Sequence, residues 1–177
     1  DGVDTGGVLF TLRTSIPNVE KHEMSYPVLY LFRRQARDSG GPGKFRGGVG
    51  GEYVLKLHDS PEGKLSIVLF GLGREVALGY GISGGYPASC IRTVAMRNTD
   101  VEDRIKRGEP PMTLEELKGQ LDELPTRGTT EIVYGDVYYH HWSGGGGYGD
   151  PIERNPESVR KDVFNGLVSF DCARNIY

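Results

Sequence analysis

The sequence has few cysteines, no long apolar run and little excess charge, and each shortage excludes a class of protein. Its 177 residues contain only two cysteines, Cys90 and Cys172, too few for a disulfide scaffold, so we expect a reduced, cytoplasmic setting. No apolar run reaches the roughly 18 residues of a membrane-spanning helix. A net charge of −3 makes the chain a poor partner for nucleic acid or an anionic membrane.

The common motifs of nucleotide and acyl chemistry are either absent or lack the sequence context that they need. Gly43-Lys44 and Gly63-Lys64 lack the following Ser or Thr of a phosphate-binding loop. Gly81-Ile82-Ser83-Gly84-Gly85 fits the Gly-x-Ser-x-Gly spacing, but Tyr86-Pro87 follows it where an elbow would open a helix, so we predict no nucleophile elbow. Gly-x-Gly-x-x-Gly occurs at 79–84 and at 144–149, but neither match opens a helix directly, so we interpret both as accidents of a glycine-rich chain.

The histidines do not predict a metal site. His140 and His141 are adjacent at the end of a predicted strand, so their side chains point to opposite faces and cannot readily chelate one ion together. One of them could join Asp136 or Asp150 in a site, although polar residues at a strand end are the simpler interpretation. We therefore predict no metal bound by this chain.

Short apolar runs separated by turn residues predict a β-rich α+β fold with glycine-rich loops. The last predicted strand is broken at Gly135-Asp136. The predicted strands cover 8–12, 26–32, 52–57, 64–70, a weak strand at 75–78, and 129–142.

Two regions predict helices within what we expect to be a single domain over 1–177. Residues 98–128 are crowded with charge and look like an insertion with its own amphipathic helix, capped by Thr113 and Glu116 and stopped by Pro125. Its apolar face would consist of Leu114, Leu117, Leu121 and Leu124. A helical carboxy-terminal tail would begin at Asn155-Pro156 and be capped again at Ser169, its first helix presenting Val159, Val163, Phe164 and Leu167.

Glycine is abundant, with 27 residues, and it concentrates in two loops. The stretches 37–48 and 144–157, continuing to 162–169, resemble the carboxy-terminal part of the hydantoinase B/oxoprolinase family. The opening residues 1–6 and the stretch 23–27 resemble the same family in the same order. The similarity spans nearly the whole chain apart from 98–128.

The resemblance implies that this chain corresponds to the last portion of a large subunit. Because it also begins at Asp1 rather than Met, we expect a fragment or a split subunit. The implied partners are a hydantoinase A-type ATPase subunit and the amino-terminal hydantoinase B-type portion. ATP and a divalent metal are expected on those other parts and no cofactor on this chain, so no catalytic residue is carried over.

We interpret the two loops as structural elements whose glycines let strands and subunits approach closely. Arg46 and Asp38 are expected to hold the first loop in place, and Asp150 and Arg154 the second. The candidate site residues are Asp38, Gly40, Gly41, Gly43, Arg46, Gly47, Gly48, Gly144, Gly145, Gly146, Gly147, Tyr148, Gly149 and Asp150.

One departure from the family pattern bears on function. Where an aliphatic strand ending in Thr-Pro is commoner, this chain has an aromatic run that ends in His140, His141 and Trp142. Aromatic residues beside a cleft suit an aromatic or ketone substrate. The leading hypothesis is therefore an ATP-dependent ketone carboxylase resembling the acetone and acetophenone enzymes. The alternatives are an N-methylhydantoinase or 5-oxoprolinase type of cyclic amide hydrolase, and a non-catalytic assembly domain.

Overall fold

The computed structural model describes residues 1–5 and 16–177, and the fold class is α+β as predicted. The strand expected at 8–12 lies outside the described residues. In the described part, no helix has the length and apolar character needed to cross a bilayer. The elements are α1 (Val19–Ser25), β1 (Val28–Gln35), β2 (Gly51–Leu57), β3 (Lys64–Phe70), β4 (Arg92–Arg97), α2 (Val101–Lys106), β5 (Gln120–Glu123), β6 (Arg127–Val133), β7 (Val137–Trp142), α3 (Pro156–Phe164) and α4 (Phe170–Ile176).

Five strands form a central antiparallel sheet in the order β1-β2-β7-β4-β5, and β3 pairs with β6 in a second, two-stranded sheet. Strand β7 lies in the middle, where Tyr138 pairs with Leu55 on one side and Ala95 on the other. Because side chains alternate along a strand, Tyr138, His140 and Trp142 share one face of β7. That face is turned toward the two-stranded sheet.

The core has two parts, one on each face of the central sheet. Helix α2 and the turn after it cover the first part, which contains Val54, Val94, Met96, Val101, Leu114, Leu117, Val137 and Tyr139. The β3–β6 sheet covers the second part, which contains Val28, Leu55, Leu69, Ala95, Leu124, Ile132 and Tyr138. The central sheet is therefore a middle layer, buried on both sides.

The predicted break at Gly135-Asp136 is a turn that joins β6 to β7. Gly135 has a φ of +87°, in the left-handed region that glycine adopts readily. Asp136 is 4% exposed and accepts hydrogen bonds from the backbone N–H groups of Asn98 and Val133. Its second oxygen pairs with Arg97 at 3.0 Å, so one carboxylate ties this turn to the end of β4.

The predicted carboxy-terminal helices are present with the predicted caps. The side chain of Asn155 accepts from the N–H of Glu157 at the start of α3, and Ser169 accepts from the N–H of Cys172 at the start of α4. The predicted apolar face of α3 is wrong at Phe164, which is 85% exposed. Helix α3 instead turns a charged residue, Asp162, toward the interior.

The helix predicted from Thr113 to Leu124 is wrong in its position. Residues 98–128 do contribute a helix, but it is α2, while Leu114–Glu116 form one 3-10 turn and Gln120–Glu123 form β5. In the described structure the Thr113 side chain makes no capping bond. Leu114 and Leu117 pack on one face of the central sheet and Leu124 on the other, while Leu121 is 44% exposed. Leu114, Leu117 and Leu124 therefore pack on two faces of the sheet and do not form one face of a helix.

The remaining strand predictions differ mainly at their ends. Strands β2 and β3 lie within one residue of the prediction, whereas β1 begins two residues later and extends to Gln35. Strand β4 was not predicted, and residues 75–78 form bends instead of the weak strand. Whether 98–128 is an insertion relative to the family stays a prediction.

Candidate functional site

The two glycine loops that the sequence singles out lie against each other through their backbones. The N–H of Gly41 donates to the carbonyl of Gly145 at 2.8 Å, and the N–H of Gly145 donates to Gly48 at 2.8 Å. Phe45 and Tyr148 exchange both of their backbone hydrogen bonds, at 2.9 and 3.0 Å. The loops, residues 38–50 and 143–151, thus form one unit although the chain separates them widely.

A third segment, residues 79–88, completes this unit. The N–H of Ile82 donates to Gly147, and the N–H of Gly147 donates to Tyr86, each at 2.9 Å. The N–H of Tyr86 in turn donates to Pro42 of the first loop at 2.8 Å. We call the three hydrogen-bonded segments the glycine layer. The sequence did mark 79–84 as a glycine pattern, but only as an accidental nucleotide motif.

Glycine is needed in this layer because the backbones leave no room for a side chain. A Cβ added at Gly47 would overlap the carbonyl oxygen of Gly145, and one added at Gly146 would overlap that of Tyr80. None of the loop glycines Gly40, Gly41, Gly43, Gly47, Gly48, Gly144, Gly145, Gly146 and Gly147 has a left-handed backbone. Gly149 has a φ of +74°, and the nearest atom to a Cβ on Gly145 would lie at an ordinary 3.5 Å; for the other loop glycines the requirement is close approach, not turn geometry.

Two buried arginines fix the glycine layer to the carboxy-terminal helices. Arg46 is 3% exposed and pairs with Asp162 of α3 at 3.2 Å and with Asp4 at 3.1 Å. Arg154 is 6% exposed and pairs with the same Asp162 at 2.6 Å and with Asp1 at 2.6 and 2.8 Å. One buried carboxylate thus bridges two guanidinium groups, one from the first loop and one from the end of the 3-10 turn after the second loop.

The segment 1–5 lies along the first loop beside these arginines. The N–H of Gly2 donates to Arg46 at 2.8 Å, and the N–H of Thr5 donates to Val49 at 2.6 Å. The carboxylate of Asp4 accepts from the N–H of Val49 at 2.9 Å. The roles of Asp1, Asp4 and Asp162 were not predicted, because their ion pairs with Arg46 and Arg154 join parts of the chain far apart in sequence.

The remaining charged residues predicted at the loops lie at their edges. Asp38, with a φ of +59°, accepts from the N–H of Ser169 at 2.7 Å and so joins the first loop to α4. Burial, followed by the nearby Asp38 charge, raises the pKa of the Cys172 thiol to about 11. Asp150 accepts from the N–H of Ile152 at 3.0 Å and caps the short 3-10 turn after the second loop. The Asp150 contact is local, whereas the Asp38 contact joins distant parts of the chain. Whether either carboxylate is needed to hold its loop stays a prediction.

The two adjacent histidines point to opposite faces of β7, as predicted. Nδ1 of His140 lies 3.0 Å from the hydroxyl of Thr93, and Nε2 of His141 lies 3.1 Å from the hydroxyl of Ser89. Burial lowers the pKa of His140 to about 4, with a smaller contribution from His141, and burial also lowers the pKa of His141. Both rings are therefore neutral near pH 7. Among residues 1–5 and 16–177, no three His, Cys, Asp or Glu side chains are grouped as metal ligands would be.

His140 and Trp142 line a cavity between the central sheet and the β3–β6 sheet. The cavity has a volume of about 290 Å³. Seven of its 17 lining residues carry aromatic rings: His22, Tyr30, Tyr53, Phe70, Tyr138, His140 and Trp142. The predicted cleft candidates were His140, His141 and Trp142, and of these His141 does not line this cavity. The other rings were not predicted, because they come from strands whose neighbours depend on sheet order.

Comparison with known proteins fits this architecture. A model of the family described as hydantoinase B/oxoprolinase matches residues 1–151. The chain belongs to that family. As a hydantoinase B/oxoprolinase member, it is 30% identical over 188 residues to the acetophenone carboxylase delta subunit of Aromatoleum aromaticum, an alignment that covers 100% of this chain and 27% of the relative. The resemblance expected from the two glycine loops is confirmed.

Two solved hydantoinase B/oxoprolinase relatives share the fold. The nucleotide-free structure of acetone carboxylase matches 93% of this chain with a TM-score of 0.77 and 27% identity, over 23% of that chain. The ATP-dependent caprolactamase from Pseudomonas jessenii matches 90% with a TM-score of 0.66 and 29% identity, over 24% of that chain. This chain therefore spans about a quarter of the length of the relatives that it matches.

Proposed function

We propose that this chain is the carboxy-terminal portion of a hydantoinase B-type subunit in an ATP-dependent ketone carboxylase. The observation that carries the proposal is the match to acetone carboxylase, which has a TM-score of 0.77 against 0.66 for caprolactamase. The alignment with the acetophenone carboxylase delta subunit, which covers 100% of this chain, supports the same branch.

The second candidate is an ATP-dependent cyclic amide hydrolase. It is favoured by the 29% identity to caprolactamase, which is no lower than the 27% identity to acetone carboxylase. The two candidates share ATP-driven activation of a carbonyl or amide oxygen, which makes a poor reaction favourable. They differ in whether bicarbonate or water then reacts.

Within either complex, we assign this chain an assembly role. The catalytic groups, ATP and a divalent metal would lie on a hydantoinase A-type ATPase subunit and on the amino-terminal hydantoinase B-type portion. The outer surface of the glycine layer supports a docking role, because Phe45, Ile82 and Tyr148 are at least half exposed and are neighbours through backbone pairing. The proposed occupant is the amino-terminal portion, since this chain spans only about a quarter of its relatives.

The reaction is tested on the complex that copurifies with this chain. The carboxylase predicts substrate-dependent ATP hydrolysis and incorporation of labelled bicarbonate into a carboxylated product. Ring opening of a cyclic amide without bicarbonate would instead establish the hydrolase. Turnover by the 177-residue chain alone would contradict the assembly role.

The docking surface is tested by copurification. Ile82→Asp places a charge on the exposed surface of the glycine layer and is expected to reduce recovery of the amino-terminal portion by at least tenfold. Phe164→Asp is the matched control, because Phe164 is 85% exposed on α3, outside the glycine layer. Equal recovery with both variants would exclude this surface as the contact.

A further inference from the structure

A second cleft lies between the end of β1 and the end of α3, and it shares no lining residue with the cavity between the two sheets. Its volume is about 510 Å³. We call it the arginine cleft, and the polar side chains that line it are those of Arg34, Gln35, Arg37, Glu52, Thr113 and Asn165. These groups come from four separate parts of the chain, so the cleft exists only in the folded protein.

The cleft carries an excess of positive charge. Two guanidinium groups, those of Arg34 and Arg37, face one carboxylate, that of Glu52. Both oxygens of that carboxylate are engaged, one with Nε of Arg34 at 2.6 Å and the other with the hydroxyl of Tyr139 at 2.8 Å. Within residues 1–5 and 16–177, Arg37 forms no ion pair with a carboxylate. Because the whole chain has a net charge of −3, this local excess does not follow from a basic composition.

The two arginines also have N–H groups without an acceptor. Nε of Arg37 donates to the carbonyl of Gly166 at 3.2 Å, and among the described residues its Nη1 and Nη2 have no acceptor. Arg34 uses Nε for Glu52 and Nη1 for the carbonyl of Met112 at 2.8 Å, which leaves its Nη2 unused in the same part of the chain. A guanidinium has five N–H donors and no acceptor, so the ligand must supply acceptor atoms.

The uncharged side chains of the cleft extend this set of donors. Gln35 and Asn165 have amide N–H groups, and Thr113 has a hydroxyl that makes no capping bond in the described structure. Together with the three guanidinium nitrogens they exceed what the two oxygens of a carboxylate need. A phosphoryl group has three terminal oxygens and, as a dianion, matches arginine forks in both geometry and charge.

We propose that the arginine cleft binds a phosphoryl group, either inorganic phosphate or the phosphate of a small monoester. Arg37 is the main binding group, and Nη2 of Arg34 assists it. The carboxylate of Glu52 limits the affinity, because it offsets part of the positive charge. The inference does not depend on the proposed function, since it concerns side chains of this chain alone, and its failure would leave the assembly role untouched.

Binding is measured on the 177-residue chain by ³¹P NMR at pH 8, where the ligand is a dianion. The ionic strength is held constant, because salt screens exposed charges. Inorganic phosphate is expected to shift saturably with a Kd on the order of 1 mM. Sulfate should displace it with similar affinity, whereas acetate should bind about fivefold more weakly. Glycerol 3-phosphate is the second ligand: a Kd about threefold lower than that of phosphate identifies a monoester site, and an equal or higher Kd identifies a site for free phosphate.

Three variants locate the site through effects of different sign. Arg37→Gln is expected to weaken phosphate binding about fivefold. Arg160→Gln changes the net charge equally on the exposed surface of α3, outside the cleft, and should leave the Kd unchanged. Glu52→Gln preserves side-chain shape and removes the carboxylate, so it is expected to strengthen binding about threefold. Circular dichroism verifies that each variant is folded.

Four results would overturn the proposal. The lack of any saturable shift with either phosphate ligand would refute the site. An equal loss of affinity in the Arg37 and Arg160 variants would reduce the effect to general charge attraction. Acetate binding as tightly as phosphate would contradict the phosphoryl class, and weaker binding by Glu52→Gln would contradict the charge balance assigned to the cleft.

Discussion

The glycine layer and the aromatic cavity fill space in opposite ways. In the layer, three chain segments meet backbone to backbone, and an added Cβ at Gly146 would overlap a carbonyl oxygen. In the cavity wall, the single ring of Tyr53 meets four other rings within 6.3 Å. The layer can form only because its glycines have no side chains, whereas the wall is built from large aromatic side chains. Replacing a glycine by a larger residue should therefore destabilise the glycine layer. Truncating a large side chain should destabilise the sheet core beside the cavity.

The two regions also differ in charge. The layer is fixed by Arg46, Arg154 and the shared carboxylate of Asp162, all buried. Apart from Arg33, the cavity is bounded by neutral side chains, because burial lowers the pKa of His140 and raises the pKa of Tyr138 to about 12. Changes of pH and of single charges should thus act on the two regions separately.

The largest effect is expected from Gly146→Ala. Its Cβ would overlap the carbonyl of Tyr80, so the backbone must shift, and we expect a loss of about 4 kcal/mol in unfolding free energy or a failure to fold. Gly145→Ala is the control, because the nearest atom to its Cβ is 3.5 Å away, an ordinary contact. Urea unfolding of the two variants measures the difference. Equal destabilisation would show that close approach is not what requires glycine.

The next effect concerns the shared carboxylate. Asp162→Asn leaves Arg46 and Arg154 with less compensation in a buried setting and is expected to cost about 3 kcal/mol of unfolding free energy. Asp103→Asn removes one partner of an exposed pair with Lys106 and should cost less than about 0.5 kcal/mol. Thermal unfolding at one pH compares them. A small change at Asp162 would mean that Asp1 and Asp4 alone satisfy the arginines.

A smaller effect separates two leucines on the sheet side. Leu124→Ala is expected to cost about 2 to 3 kcal/mol, because Leu124 is 4% exposed, whereas Leu121→Ala should cost less than about 0.5 kcal/mol at 44% exposure. Urea midpoints at constant slope measure both. Equal costs would favour a helix with all four leucines on one face over the β5 strand.

The smallest effect is a pH dependence from His140. Its pKa falls from an ordinary 6.5 to about 4 in the folded chain, so between these values the unfolded chain binds more protons. Stability should therefore be nearly constant above about pH 7.5 and fall by about 1.4 kcal/mol as the pH drops to 5.5, with a further fall toward pH 4. His140→Phe should flatten this part of the profile in urea unfolding at pH 7, 5.5 and 4. A parallel profile in the variant would assign the loss to the carboxylates.

Local signals predicted much of the fold. The caps at Asn155 and Ser169 and the break at Gly135 act within a few residues, so the sequence displays them directly. The leucines from Leu114 to Leu124 led to a wrong helix prediction because their spacing is compatible with a helix. In the structure, the buried ones pack on two faces of a sheet. That choice depends on which strands are neighbours, and strand order is not a local property.

The sequence identified several residues of the candidate site but not which segments come together to form it. The sequence marked the two glycine loops and the residues His140 and Trp142. It could not show that 79–88 is a third part of the glycine layer, because each close contact there joins backbones far apart along the chain. The burial of Asp162 could not be predicted for a similar reason, since its partner Arg46 lies far away in the sequence and Arg154 follows the second loop.

The wide separation of the layer's segments also has a consequence for folding kinetics. The β2–β7 pairing of Gly51 with Trp142 closes nearly as long a loop as the bond from Gly41 to Gly145, but the layer must in addition order many glycines, which lose the most backbone entropy on folding. We therefore expect the transition state for folding to contain the central sheet and to lack the glycine layer. Substitutions such as Gly146→Ala would then accelerate unfolding and leave the folding rate nearly unchanged. The unfolding rate would accordingly depend mainly on the contacts of the glycine layer, and the folding rate mainly on those of the central sheet.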